Sequence, residues 1–267
     1  MHIPIDRRDD PRIAHFLGLR AQQTRKQREA PGGDLATIFI AEGDLVLERA
    51  IAHGYQLRSV LIGARRQKPL PSTVAASGAD IFFANDEVLT EVTGRPELRD
   101  PIGCFVRPTP HDADSLLAKY STFAVLENVN NPNNLGVIMR NAAALGIDAV
   151  LLDQRCADPL YRRAVRASMG QVFAIPHARL GDLPEDLERL RDVGVETIAL
   201  TPSGLHEIRD VERPAKVAVL LGAEGPGLST DVIAAADQQV KIAMHNSVDS
   251  LNVANAAAIA FHHFAER

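Results

Sequence analysis

Short apolar runs alternate along this chain with stretches whose apolar residues recur at helical spacing. From Leu35, ATIFIAEG predicts a strand, and DLVLERAIAHG predicts a helix carrying Leu45, Leu47 and Ile51, closed by Gly54. QLRSVLIG and ADIFFAN predict two further strands, DEVLTEVTG a short helix from Asp86 to Gly94, and IGCFVRP a last strand. This alternation predicts a compact α/β domain over residues 34–108. Ahead of it, residues 1–33 are rich in Arg, Gln, Asp and Pro and predict a basic N-terminal arm, with Arg20, Arg25, Lys26 and Arg28 close together, either as a solvated helix face or linker or as a phosphate-contacting arm. Behind it, the proline-punctuated PTPHDADSLLAK predicts a linker over 109–119.

A second domain is predicted over residues 120–267. Strand FAVLE leads through an Asn-rich loop into a helix over 134–146, followed by strand AVLL. LPEDLERLRDVG predicts an amphipathic helix ending at Gly194, and ETIALTP and VAVLLG predict strands. STDVIAAA predicts a helix with Ser229 as N-cap, VKIAM a strand, and an alanine-rich helix runs to Phe264. The expected architecture is a parallel sheet with helices on both faces. The last helix is so poor in charge that it is expected to be covered on most sides.

Composition narrows the function classes. With 267 residues, 46% hydrophobic and 24% charged, the chain has a globular profile. A formal net charge of −5 argues against nucleic-acid binding by bulk charge, but leaves room for a local basic patch. Cys104 and Cys156 form no CxxC, so neither a zinc site nor a disulfide framework is predicted. His53, His245, His262 and His263 have no partner at metal spacing, and no metal is expected. No apolar signal region or membrane-spanning run stands out, so the expected compartment is the cytoplasm.

Three stretches concentrate unusual polar residues: 128–146, 217–229 and 240–264. In the first, Asn134 stands at the expected N-cap and Arg140 follows six residues on, a rise of roughly 9 Å along a helix. Its long side chain would reach back toward the helix mouth, or toward a neighbouring subunit. In the second, Gly222-Ala223-Glu224-Gly225-Pro226-Gly227 reads GxxGxG, not the dinucleotide spacing GxGxxG, which weighs against a nicotinamide dehydrogenase. Its glycines serve either close backbone approach to a flat ligand or simply a tight turn. In the third, Ser250 and Asn252 are polar groups at the mouth of an apolar helix and need partners; Ser250 either caps that helix or serves the pocket. All three stretches are expected to meet at one pocket.

Asn128-x5-Asn134-x5-Arg140, LLGAEGPGLS and IAMHNSVDSLNVANAAAIA, in that order, resemble the three motifs of the SpoU, or TrmH-like, group of SPOUT RNA methyltransferases. The resemblance covers residues 120–265, and residues 34–108 are similar to the small ribosomal-protein-like RNA-binding domain often found in front. It implies S-adenosylmethionine as methyl donor, S-adenosylhomocysteine as product, and an RNA ribose 2′-hydroxyl, in rRNA or tRNA, as acceptor. It also implies a deep C-terminal trefoil knot and a homodimer. Gly222, Ile242 and Leu251 would contact the cofactor through the main chain, and Asn134, Arg140, Glu224, Ser250 and Asn252 match the catalytic positions. Ala243 stands where the group usually has proline, and Asn246 where it usually has glycine.

The resemblance implies Arg140 as base, assisted by Ser250, but an arginine ordinarily stays protonated, so Arg140 is expected first as a phosphate clamp and alkoxide stabiliser, oriented by Asn134 and Ser250. RNA contacts are expected from Arg162, Arg163 and Arg166, from Arg65, Arg66 and Lys68, and from Arg25, Lys26 and Arg28 in the arm. With 4% aromatic residues, base stacking is not expected to dominate. The competing expectation is a non-catalytic RNA-binding or ribosome-assembly protein retaining the fold. The five catalytic-position residues weigh against it, because a mere binder has no need of them all.

Overall fold

A computed structural model describes residues 2–19, 22–30, 32–93, 100–246 and 248–265. Strands in chain order are β1 His2–Ile5, β2 Ile38–Glu42, β3 Leu57–Gly63, β4 Asp80–Ala84, β5 Ile102–Val106, β6 Thr122–Leu126, β7 Ala149–Leu152, β8 His177–Arg179, β9 Glu196–Leu200, β10 His206–Glu207, β11 Val217–Leu221 and β12 Gln238–Lys241. Helices are α1 Gln22–Glu29, α2 Asp44–Ala52, α3 Ser72–Ala75, α4 Asp86–Thr93, α5 Ala113–Lys119, α6 Pro132–Ala144, α7 Arg162–Ala167, α8 Leu187–Asp192, α9 Thr230–Ala235 and α10 Val253–Phe264. The chain divides into two compact units: Met1–Thr109 with Leu160–Phe173, and Pro110–Pro159 with Ala174–Arg267.

The first unit holds a five-stranded sheet in the order β1-β4-β3-β5-β2. The strands β1, β4 and β3 run parallel, and β5 is antiparallel to both β3 and β2. Its core unites Ile5, Ile13, Phe16 and Leu19 with Ile38, Leu61, Phe82 and Val88. The expected basic arm over 1–33 is therefore corrected: β1 extends the sheet, and four apolar anchors bury themselves in the core. Local pairs such as Arg7–Asp9 and Arg12–Asp10 neutralise the charge that made this stretch read as an arm. Arg25 is only 3% exposed, paired with Glu29 and donating to the carbonyls of His15 and Leu17. Arg28 is paired with Asp34. Arg20, Gly94 and the side chain of Lys26 lie outside the described residues. Residues 160–173, which leave the second unit between β7 and β8, pack here, with Phe173 5.7 Å from Phe39.

The second unit holds a seven-stranded sheet in the order β10-β12-β9-β11-β6-β7-β8, parallel at every step. Its strands β6, β7 and β11 are almost unbroken apolar runs, as expected when both faces are covered. Residues Leu116 and Leu117 of α5, Leu187 and Leu190 of α8 and Val232 of α9 pack with Phe123, Leu151 and Leu220 of the sheet. The expected linker is thus corrected as well, because α5 is core, capped by Asp112, whose carboxylate accepts from Ser115 N. Ser229 caps α9 by accepting from Val232 N.

A second helical layer is built by α6 and α10, which pack on each other; α6 also meets β7, and α10 meets β11. The last helix buries Val253, Ala254, Ala257, Ala260, Phe261 and Phe264, an i, i+1, i+4, i+7, i+8, i+11 stripe. Truncating Phe261, which is fully buried, would cost about 3–5 kcal/mol. The opposite stripe, Asn255, Ile259 and His262, is exposed, so within one chain the helix is not covered all round. The strand expected at Val240 to Met244 lies earlier, at Gln238–Lys241, and the chain leaves the sheet at Ile242. No described helix is long and apolar enough to cross a membrane, and no described cluster of His, Cys, Asp or Glu could hold a metal ion.

Candidate active site

In a parallel sheet the strands all end at one edge, and the turns leaving those ends face a common space. Here Glu127 and the Asn-rich loop leave β6, Gly222 leaves β11, and Ile242 leaves β12. The first helix turn after β6 begins with Asn131, whose side chain accepts from Asn133 N, and Pro132 takes the first helical position. Asn131 is therefore the cap, not Asn134. Asn134 sits one turn inside α6, 9% exposed, with its amide free for other partners.

Those partners come from the other two stretches. Asn134 Nδ2 donates to Glu224 Oε2 at 2.7 Å, and Asn252 Nδ2 donates to Asn134 Oδ1 at 3.1 Å. Asn252 Oδ1 then accepts from Ala254 N at 2.9 Å and caps α10. The direction of this chain follows from its end: a carboxylate only accepts. Glu224 forces Asn134 to present its NH2, which turns the Asn134 oxygen to Asn252, which leaves the Asn252 oxygen for the helix cap. Asn141, one of two polar side chains in the body of α6, donates to Ala254 O at 2.8 Å and ties the same turn of α10.

The glycines shape the turn that carries Glu224. A Cβ on Gly222 would lie 2.0 Å from Gly227 C and 2.1 Å from Leu228 N, so no other residue allows the turn to close. Gly227 N donates to Ala223 O at 3.0 Å across it. The tight-turn role of these glycines is thus real, and it holds Glu224 against Asn134. Among the described residues, the main-chain N–H groups of Gly222, Ile242 and Leu251 donate to no hydrogen bond. Asn246, with φ of 56°, occupies the left-handed region that glycine favours and Asn tolerates.

Residues 121–262 match the SpoU rRNA methylase family. This chain belongs to that family. An uncharacterized tRNA/rRNA methyltransferase of Mycobacterium tuberculosis is 39% identical over 258 residues, 95% of this chain and 88% of the relative. Among solved structures, an AdoMet-bound rRNA methyltransferase from Sinorhizobium meliloti is 26% identical, with a TM-score of 0.78 over 98% of this chain and 97% of that one. An RNA 2′-O ribose methyltransferase is 25% identical, with a TM-score of 0.77 over 98% and 97%. The protein is accordingly an RNA methyltransferase of the TrmH/SpoU type.

This SpoU methylase does not draw every expected residue into the bonded set. Arg140 is exposed and forms no hydrogen bond or ion pair with another described residue. It lies on the α6 face of Asn133 and Val137, away from buried Asn134. Ser250 is exposed too, and of its two readings the cap is ruled out, because Asn252 caps α10. Of the expected RNA-contacting arginines, Arg162 is held by Glu42 and donates to Leu19 O at 2.9 Å. Arg66 and Lys68 both grip Asp44, each at 2.7 Å. Burial raises the Asp44 carboxyl, but the Lys68 and Arg66 bonds outweigh it and hold its pKa below the ordinary value. Arg162 and Arg66 are therefore structural residues. Arg65 reaches Asp86 at 3.0 Å with a side chain 87% exposed. Arg163 and Arg166 make no hydrogen bond or ion pair with another described residue. Asn131 escapes the sequence reading, although the Asn-Pro pair is an available signal for it; Asn141 stands out in the sequence as one of two polar side chains in an apolar helix, but its partner on α10 does not.

Proposed function

We propose that this chain transfers a methyl group from S-adenosylmethionine to the ribose 2′-hydroxyl of a nucleotide in rRNA or tRNA. The carrying observation is the Glu224–Asn134–Asn252 chain, which joins the three motif stretches at the carboxyl edge of one sheet. The residues present fit the donor. Gly222, Ile242 and Leu251 have unused N–H groups beside Glu224 and Asn252 in sequence, suited to hold an adenosine moiety by its polar edge. The last helix would be tucked through a loop as a trefoil knot, and the first unit would serve as an RNA-binding domain, with Arg163, Arg166 and Arg65 on phosphates.

When bound, S-adenosylmethionine supplies a sulfonium methyl that is already electrophilic, so no metal is needed. The protein's task is to align the ribose oxygen and manage its proton. Asn134, Glu224 and Asn252 hold the site rigid. The protonated Arg140 guanidinium clamps the adjacent phosphate and stabilises the developing alkoxide; the Ser250 hydroxyl orients the 2′-hydroxyl by accepting a hydrogen bond from it, and the proton leaves to water as the methyl transfers. Arg140 shares an exposed face with Val137, and Ile259 of α10 is 41% exposed beside no described cover. These faces suit a homodimer in which Arg140 completes the partner's site.

The test is transfer of tritiated methyl from S-adenosylmethionine into cellular RNA, with 2′-O-methyl mapping in RNA from a deletion strain. Incorporation at a ribose 2′ position is expected. Tight cofactor binding without incorporation into any cellular RNA would refute the catalytic reading.

A further inference from the structure

The first unit carries a groove of about 680 Å³ that the proposed active site does not use. It lies where β3 and β4 begin and β5 ends, and Ile51, Tyr55, Arg58, Gly78 and Val106 are among its walls. Tyr55 is half-buried and held from behind: its ring lies 5.5 Å from Phe39, edge-on, and 4.8 Å from Phe173. That packing fixes the ring, so a flat partner would lose little further freedom in stacking on it. Val106 is 37% exposed and extends the apolar floor.

The rim is set by Arg58. Most other arginines of this unit sit on carboxylates, Arg25, Arg28, Arg65, Arg66 and Arg162 among them. Arg58 is exposed and makes no hydrogen bond or ion pair with another described residue. A fixed aromatic ring, an apolar floor and an unpaired guanidinium match a flat base joined to a phosphate. We propose that this groove holds one unstacked nucleotide of the substrate RNA, its base against Tyr55 and Val106 and its phosphate on Arg58. The proposal rests on the RNA-methyltransferase reading and adds to it a substrate contact outside the three motifs. It also gives stacking a larger place than the low aromatic content implies.

The chain has no Trp and three Tyr, so the share of the tyrosine emission that is lost in Tyr55→Phe reports on Tyr55. The full chain is titrated with a short mixed-sequence single-stranded RNA and, separately, with UMP. The RNA is expected to quench the emission. Tyr55→Phe should lose most of the quench while keeping the affinity read by anisotropy of a labelled RNA. Arg58→Glu should weaken RNA binding roughly tenfold, and Arg58→Lys should retain most of it. Wild-type affinity in Arg58→Glu, or an undiminished quench in Tyr55→Phe, overturns the groove assignment. UMP binding as tightly as the RNA would make the groove a free-nucleotide site and overturn it also. Tritiated-methyl transfer measured on the same proteins separates the two readings. Transfer at wild-type kcat/KM in Arg58→Glu defeats the groove and leaves the enzyme. RNA binding through Arg58 without any transfer defeats the enzyme and leaves the groove.

Discussion

Asn134 donates to Glu224 across 2.7 Å, although 90 residues separate them in the chain. This bond ties α6 to the glycine turn, and its geometry sets the direction of the amide chain that ends at the α10 cap. Removing either partner leaves a partly buried polar group unmatched. In a double-mutant cycle, Asn134→Ala and Glu224→Ala should show a coupling on the order of 1–2 kcal/mol in urea unfolding. Additive effects would mean the bond contributes nothing in solution.

Capping and bracing can be separated at Asn252. Asn252→Ala loses the cap and should destabilise by about 1 kcal/mol. Asn252→Asp keeps an oxygen for Ala254 N but loses the donor to Asn134. Its stability should stay close to wild type while methyl transfer falls by roughly tenfold or more. Ser250→Ala, which removes no cap, should leave the thermal midpoint unchanged and lower kcat.

Asn246 stands in for a glycine at φ of 56°. Asn246→Gly should be neutral to within a few tenths of a kcal/mol, whereas Asn246→Val should cost about 1–2 kcal/mol. Calorimetric titration with S-adenosylmethionine should show affinity retained in the first and weakened in the second.

Arg140 as a protonated clamp predicts a pH–rate profile with no ionisation lost on replacing it. Arg140→Lys should keep measurable transfer, and Arg140→Ala should lose roughly a hundredfold in kcat. If Arg140 serves the partner's site, mixing Arg140→Ala with Asn134→Ala protein should restore activity that neither has alone. Failure to complement would place Arg140 in its own subunit's chemistry.

His15 provides a pH signature in the first unit. Its Nε2 lies 2.8 Å from Ser59 Oγ. Burial, with Arg58 and Arg25 nearby, lowers its pKa from 6.5 to about 4. The folded chain therefore binds fewer protons than the unfolded chain between these values, and stability rises with pH there. The contribution is complete above pH 6.5 and is lost as the pH falls towards 4. Urea midpoints measured across that window should fall less steeply with acidification in His15→Gln.

Much of the second unit was legible because buried parallel strands read as uninterrupted apolar runs, as in VAVLL and TFAVL. The site was legible as residue types, but not as a bonding pattern. Which of Asn131 and Asn134 caps α6 depends on Pro132 occupying the first helical position, a local cue that was present. Which of Ser250 and Asn252 caps α10 depends on a partner in α6, which no local pattern shows. The basic character of Arg66 and Arg162 misled for a related reason. Their carboxylates, Asp44 and Glu42, lie far away in sequence, so ions at rest in pairs looked available for RNA. The opposite happened at Arg58, whose neighbours gave no hint that it would be left unpaired.

Because residues 160–173 return to the first unit after the chain has already left it, the polypeptide passes between the two units three times. Cutting at Thr109 would not release either half. A fragment ending there would lack the Phe173 ring that backs Phe39 and Tyr55, and one starting at Pro110 would carry that ring with nothing to rest on. Any insertion, deletion or swap that treats the front of this protein as a detachable module must therefore carry a piece of its middle along.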